Sequence, residues 1–230
     1  MARVGIDTVT LSYPVYMTRS QHLRPGEDFV FTGKYGSLGP VRWSRWRHES
    51  GIELTMKGVP GRNTSAIFDG SVGKQLGLVG AAGLDELKLL DVWIREVLQH
   101  DLVKTPRVNR LDVCADIPDP DGALRRAAVG WRPHARARYV ESVINDCETV
   151  WLHNKSRGVR VYDKFLECGH EWARELTRVE YQIRGQALEA AGFDKIANLA
   201  DSSLAREIEP LVADLTRRIP SERETGVLNG

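Results

Sequence analysis

Tyr162 stands in the stretch "RGVRVYDKFLE", two residues after Arg160 and two before Lys164. Strand side chains alternate between two faces, so in an extended segment these three share one side while Val159 and Val161 take the other. A phenol flanked by cations is suited to attack on a phosphate. Its ordinary pKa of about 10 leaves little phenolate at neutral pH, and nearby positive charge or a metal ion favours the reactive form. Such an attack on DNA would leave a covalent phosphotyrosine. The plainer reading, a half-exposed surface tyrosine between solvated neighbours, is the commoner one for the pattern alone.

Two further stretches carry a polar face. In "RLDVCADI" Asp112, Cys114 and Asp116 fall on one side, and in "TRVEYQI" Arg178, Glu180 and Gln182 oppose Val179, Tyr181 and Ile183. If these segments and the tyrosine strand are neighbours in register, Asp112, Asp116 and Glu180 meet Tyr162 on one surface. Clustered carboxylates suit Mg²⁺ or Mn²⁺, which take hard oxygen ligands and keep water or phosphate oxygens in the shell. An ion there could polarise a phosphodiester. Arg160, Lys164 and Arg178, with Lys155 and Arg157 from the adjoining "NKSRG" turn, would hold the scissile strand. The competing reading leaves Asp112 and Asp116 solvated, or paired with Arg110 and Arg178.

The elements that must position these residues follow from periodicity and punctuation. Strands are predicted at 4–13, 28–32, 41–47 and 51–57, separated by Gly and Pro signals. "LDELKLLDVWIREVLQ" is a helix over 84–99, with Leu87, Leu90, Ile94, Val97 and Leu98 at helical spacing and Asp85 and Glu86 in its first turn. A strand over 107–117, a short helix capped by Asp121, two strands around a turn at Asn154 to Gly158, a strand over 175–185 and two final helices complete the chain. "GSVGKQLG" is assigned to a turn, and residues 221–230 to a disordered tail. Mostly hairpin-connected strands imply an α+β fold, a central antiparallel sheet with helices packed on one face, in a single domain over 1–220. Glu53 opens "ELTMKG" and Glu180 opens "EYQIRG", while "GID" and "RLD" open comparable strands. That echo raises a duplication, with halves 1–104 and 105–200, against chance similarity.

Composition excludes more than it assigns. The 230 residues are 42% hydrophobic and 27% charged, with a net charge of +1, which by itself favours neither nucleic acid nor membrane. No apolar run reaches the roughly 20 residues of a membrane helix, and the start lacks a signal-peptide core, so a cytoplasmic protein without a membrane partner is expected. Cys114, Cys147 and Cys168 show neither disulfide-framework nor zinc spacing. The six histidines form no His-x-His pair, and no phosphate-binding glycine loop is present. Charge is uneven, however. Residues 123–140 hold five arginines, Arg136 and Arg138 among them, and no acid, and residues 34–48 interleave four Lys and Arg with three aromatics. Both suit phosphates and stacked bases, and both are equally read as solvated loops with core tryptophans.

At these residues the chain resembles the replication initiators of filamentous phages and, more distantly, plasmid rolling-circle initiators. The similar stretches are "VNRLDVCADIPDPDGALRRA", "ETVWLHNKSRGVRVYDK" and "LTRVEYQIRGQALEAAGF", with "GIELTMKGVPGRN" earlier, and the likeness spans roughly residues 50 to 200. The resemblance implies a DNA nickase and ligase that cuts an origin strand, keeps the 5′ phosphate on a tyrosine and later rejoins the ends. It places the nucleophile on Tyr162, the lysine that follows it on Lys164, and the acids on Asp112, Glu180 and Asp116. It implies single-stranded and double-stranded origin DNA as partners, a host helicase and polymerase alongside, and a homodimer. Those phage proteins carry a C-terminal extension that has no counterpart here. The rivals are a non-catalytic DNA-binding regulator of the same fold and a metal-dependent nuclease that uses water.

Overall fold

The computed structural model describes residues 3–16, 28–59, 63–98, 105–134, 138–145 and 148–220. In chain order the strands are β1 (Arg3–Tyr16), β2 (Phe29–Leu38), β3 (Val41–His48), β4 (Glu53–Gly58), β5 (Asn63–Ser71), β6 (Arg107–Pro118), β7 (Val140–Ile144), β8 (Thr149–His153), β9 (Arg157–Asp163) and β10 (Leu176–Arg184). The helices are α1 (Val72–Gln75), α2 (Leu84–Leu98), α3 (Ala123–Ala128), α4 (Lys164–Cys168), α5 (Gln186–Ala190) and α6 (Asp201–Arg217). The fold is α+β, as the hairpin-rich pattern implies. No described helix is long and apolar enough to cross a membrane.

The chain divides into two compact units. One holds residues 6–111 and 184–200; the other holds 112–183 and 201 onward with the first residues of β1. In the first unit the strand order is β2-β3-β4-β5-β1. Its antiparallel pairs put Val9, Leu11 and Tyr13 on a buried side, and α2 presents the buried stripe Leu84, Leu87, Leu90, Ile94 and Leu98. The Tyr13 hydroxyl, deep in this layer, donates to Asp91 Oδ1 at 2.9 Å. Burial, then the Asp91 charge, pushes the Tyr13 phenol well above its ordinary range. "GSVGKQLG" contains the one-turn helix α1, whose Lys74 amide donates to the Ser71 hydroxyl.

The second unit has the order β6-β10-β9-β8-β7, with antiparallel pairing from β10 through β7. Counted from its own first strand, each unit therefore runs first, fifth, fourth, third, second. The two ladders repeat one connectivity, and β1 with "GID" matches β6 with "RLD". The glutamate echo does not follow that correspondence: Glu53 lies on the fourth strand of its unit and Glu180 on the fifth.

In the second unit Val150, Leu152, Val159, Val161, Val179, Tyr181 and Ile183 form the apolar side of the ladder and are buried. Helix α3 packs on β8, β9 and α6. Leu204, Ile208, Leu211 and Leu215 of α6 repeat at intervals of three and four and are its buried residues. Trp131, 1% exposed, donates from Nε1 to Asp214 Oδ2 at 2.8 Å and ties the segment after α3 to α6. The indole hydrogen bond, then that from Arg217, lowers the Asp214 carboxyl from its ordinary value.

Three local expectations are corrected. Helix α3 is not capped by Asp121: its N-cap is Gly122, and Asp119 Oδ1 accepts from the Leu124 amide, because the left-handed backbone at Gly122 carries the chain past Asp121. The basic stretch 123–140 is not wholly a loop: Ala123–Ala128 form α3, and β7 begins at its last residue, Val140. Strand β9 ends at Asp163, whose carboxylate accepts from the Leu166 amide and caps α4, so Lys164 is a helix residue and not the next step of the strand. The Asn154 turn holds, with Asn154 Oδ1 accepting from the Ser156 and Arg157 amides. The disordered-tail expectation for 221–230, like Cys147 and Arg136, lies outside the described residues.

Ile208 is fully buried. Ile208→Ala should lower unfolding stability by about 2–5 kcal/mol, read from urea denaturation midpoints at unchanged slope.

Candidate active site

Pairing registers place the polar side chains without appeal to pattern. Across β10, β9 and β8 the rows run Gln182, Gly158, His153, then Glu180, Arg160, Trp151, then Arg178, Tyr162, Thr149. Strand β6 neighbours β10. Gln182 Nε2 donates to Asp112 Oδ2 at 3.2 Å, and Arg178 donates from Nε and a terminal nitrogen to the two oxygens of Asp116 at 2.6 and 2.7 Å. Alternation thus gathers Asp112, Asp116, Arg178, Glu180, Arg160 and Tyr162 on one face.

The face is buried. Asp112 is 0% exposed, Arg178 1%, Tyr162 2% and Glu180 4%. A buried charge needs a partner, since desolvation otherwise favours its neutral form. Asp116 meets that need for Arg178. Burial alone would pull the guanidinium pKa down, but the Asp116 hydrogen bond, together with nearby Cys114, Tyr162 and Asp116 charge, carries it above its usual value. The sequence alternative that pairs Asp116 with Arg178 is the one realised, and the solvated reading of Asp112 is not.

The phenol meets an acid directly: Tyr162 Oη donates to Glu180 Oε2 at 3.2 Å. The Arg160 guanidinium lies 4.3 Å from the ring centroid and Lys164 Nζ 5.7 Å from it, so the ring has a cation on its face. Arg160 Nε is buried without a hydrogen-bond acceptor among the described residues. Lys164, itself buried, donates to Glu167 Oε2 at 2.5 Å. The plainer reading of a half-exposed surface tyrosine is not the one realised: the ring is enclosed, with the Arg160 guanidinium over its face.

The expected DNA-contacting cations divide sharply. Arg178 is spent on Asp116 and is not available to a phosphate. Arg157 is on the opposite side of β9 from Tyr162 and donates from Nε to the Tyr181 hydroxyl at 2.9 Å. Lys155 and Arg138 are exposed. Within the second basic stretch Arg125 pairs with Asp163, Arg126 donates to the Asp121 carbonyl and Trp131 is core, so much of that stretch serves the fold. In the first, Arg47 pairs with Glu53.

Two other tyrosines lie near this unit's reverse face. Tyr181 Oη accepts from Arg157, its ring stacks on His134 at 5.6 Å, and burial raises its pKa. Tyr139 Oη is 2.6 Å from His134 Nδ1, and burial pushes its pKa up to about 12. Burial, then the Arg157 charge, lowers that of His134. None of these groups faces Glu180.

Among the described residues no group of three or more His, Cys, Asp or Glu side chains is arranged to hold a metal ion. Asp116 does not suit the role given to it, because both of its oxygens accept from Arg178. Asp112 and Glu180 keep the hard-oxygen chemistry that Mg²⁺ or Mn²⁺ takes. Sequence reading left three neighbours unassigned: Gln182, Trp151 and His153. Their signal was the same two-residue alternation, which runs one strand further, onto β8.

No family model and no curated protein matches the chain. Among solved structures it is similar to a rolling circle replication initiator protein from Geobacillus stearothermophilus, at 15% identity and a TM-score of 0.44, over 99% of this chain and 90% of that one. Likeness of that degree carries no argument about chemistry, which rests on the residues above.

Removing one partner of the buried pair should cost about 3–5 kcal/mol, so Arg178→Met or Asp116→Leu alone is expected to unfold at much lower denaturant. The double variant should recover most of that loss, and a double-mutant cycle in guanidinium measures the difference.

Proposed function

We propose that the chain is a rolling-circle replication initiator, a metal-dependent tyrosine nickase and ligase acting on origin DNA. The observation that carries this reading is the hydrogen bond from Tyr162 to Glu180 beneath Arg160. The phenol oxygen attacks the scissile phosphorus, a Tyr162–phosphorus bond forms, and the bond from phosphorus to the 3′ oxygen breaks. Glu180 Oε2 takes the phenol proton, and the departing 3′ oxygen takes a proton from solvent and becomes a hydroxyl that can prime synthesis. The reverse sequence rejoins the strand. Arg160 positions the phosphate: its Nε lacks an acceptor, and moving its guanidinium from the ring onto a phosphate oxygen both uncovers Tyr162 and satisfies that donor. Lys164 contributes positive charge beside the ring.

Asp112 and Glu180 would hold Mg²⁺ or Mn²⁺, with water and phosphate oxygens filling the shell. When bound, the ion polarises the phosphodiester. Lys155 and Arg138, both exposed, supply phosphate contacts of the sequence-independent kind. An origin in double-stranded and single-stranded form, a partner helicase and polymerase, a homodimer and a cytoplasmic setting, that of a phage host included, complete the proposal.

A second reading, a DNA-binding regulator without catalysis, is favoured by one observation: Tyr162 is 2% exposed and cannot meet a phosphate until Arg160 moves.

Incubation with labelled single-stranded origin DNA and Mn²⁺, followed by a denaturing gel, separates the readings. The nickase gives a protein–DNA adduct that Tyr162→Phe abolishes, with DNA affinity held within about twofold, since the ring and its cations remain. Free nicked product without adduct would point to water as the nucleophile, and neither product to the regulator. Adduct formation by Tyr162→Phe would overturn the assignment of Tyr162.

A further inference from the structure

Beside the tyrosine, three strands leave a small place that the reaction does not use. Gly158 is the central member of the Gln182, Gly158, His153 row, and Trp151 is paired with Arg160 in the row beside it. A Cβ placed on Gly158 would lie 3.5 Å from Trp151 Nε1 and 3.6 Å from Gln182 Oε1, so an indole donor and an amide acceptor flank the same bare stretch of backbone. The orientation of the amide follows from chemistry. Its nitrogen donates to the Asp112 carboxylate, which only accepts, and so the carbonyl oxygen must face the other way, toward Gly158.

That oxygen is buried and has no hydrogen-bond partner among the described residues, in a residue only 9% exposed. An orphan acceptor at this depth is costly, and it points to a ligand group that donates. Trp151 is 36% exposed and its ring lies 4.2 Å from that of His153, so one side of the place is aromatic and reachable from solvent.

We infer that Gln182 Oε1 and Trp151 Nε1, on either side of the buried, side-chain-free Gly158, form a subsite for the edge of one unpaired nucleobase beside the scissile phosphate. This inference rests on the DNA-processing role proposed above. Each base offers a donor and an acceptor side by side on its Watson–Crick edge, and a duplex keeps that edge occupied by the complementary strand. The subsite therefore recognises melted DNA through an atom pair that duplex DNA hides. It adds a base contact to phosphate contacts that cannot themselves distinguish a base from its absence. Aromatic contact from Trp151 and His153 adds stacking without sequence preference.

The test measures binding with no divalent ion, so that it does not depend on cleavage. Fluorescence anisotropy compares a 5′-labelled (dT)₁₂ with a fully abasic tetrahydrofuran 12-mer of the same charge, at one salt concentration. The wild-type protein should bind the base-bearing strand about tenfold more tightly. Trp151→Ala, Gln182→Leu and Gly158→Ala should each reduce that ratio to about twofold or less, with abasic affinity unchanged. Gly158→Ala is the most informative, because its methyl makes only ordinary van der Waals contacts and fills the place without disturbing the strand. Thermal unfolding checks each variant, and if Gln182→Leu melts early the other two decide. Equal affinity of wild type for the two oligomers overturns the inference, as does a ratio that survives in correctly folded variants. Adducts without a base preference would sink the subsite alone, and a base preference without adducts would sink the nickase alone.

Discussion

The second unit depends on one constraint: a sheet face loaded with ionisable side chains is taken out of water, and each charge on it has to be matched. Arg178 is the pivot. Its guanidinium is almost wholly buried, and the two-pronged contact with Asp116 is what keeps it cationic there. Because Arg178 is also the cross-strand partner of Tyr162, that ion pair helps fix where the tyrosine strand sits relative to β6 and β10. A shift of one residue would turn every polar group of β9 to the apolar side, where Val159 and Val161 now pack.

The same constraint sorts carboxylates that look alike in the sequence. Asp116 is committed to structure, Asp112 is anchored by an amide, and Glu180 receives the phenol hydroxyl. Three acids on alternating positions thus acquire three environments, and environment rather than residue type decides which of them has chemistry to offer. Tyrosines sort in the same way: Tyr181 and Tyr139 lie away from Asp112 and Glu180, whereas Tyr162 donates to Glu180 and has a cation over its ring.

Repetition of one strand order in both units gives the fold an internal economy. A first strand and a four-strand meander that returns to pair with it recur, yet only one copy carries the tyrosine and its acids. In the first unit the face opposite Val9, Leu11 and Tyr13 holds different pairs, such as Thr10 donating to Asp69 at 2.6 Å and Arg47 with Glu53. The ladder supplies neighbours in register, and side chains substituted upon it determine what those neighbours do.

Alternation by itself determined which residues share a side of each strand, because a pleated backbone has period two whatever surrounds it. It also marked α2 and α6, whose apolar stripes follow the helical period, and so made the α+β class legible. Strand order, burial and partners were decided by tertiary structure. No local signal says that β6 pairs with β10 and not with β9, that Asp163 stops the strand and turns Lys164 into a helix, or that Arg157 faces away from Tyr162 while Arg160 covers it. Those outcomes depend on contacts between residues as much as 70 positions apart, such as Gln182 with Asp112, and on the energetic demand that buried charge be paired. Period is a property of the chain, whereas pairing is a property of the folded molecule.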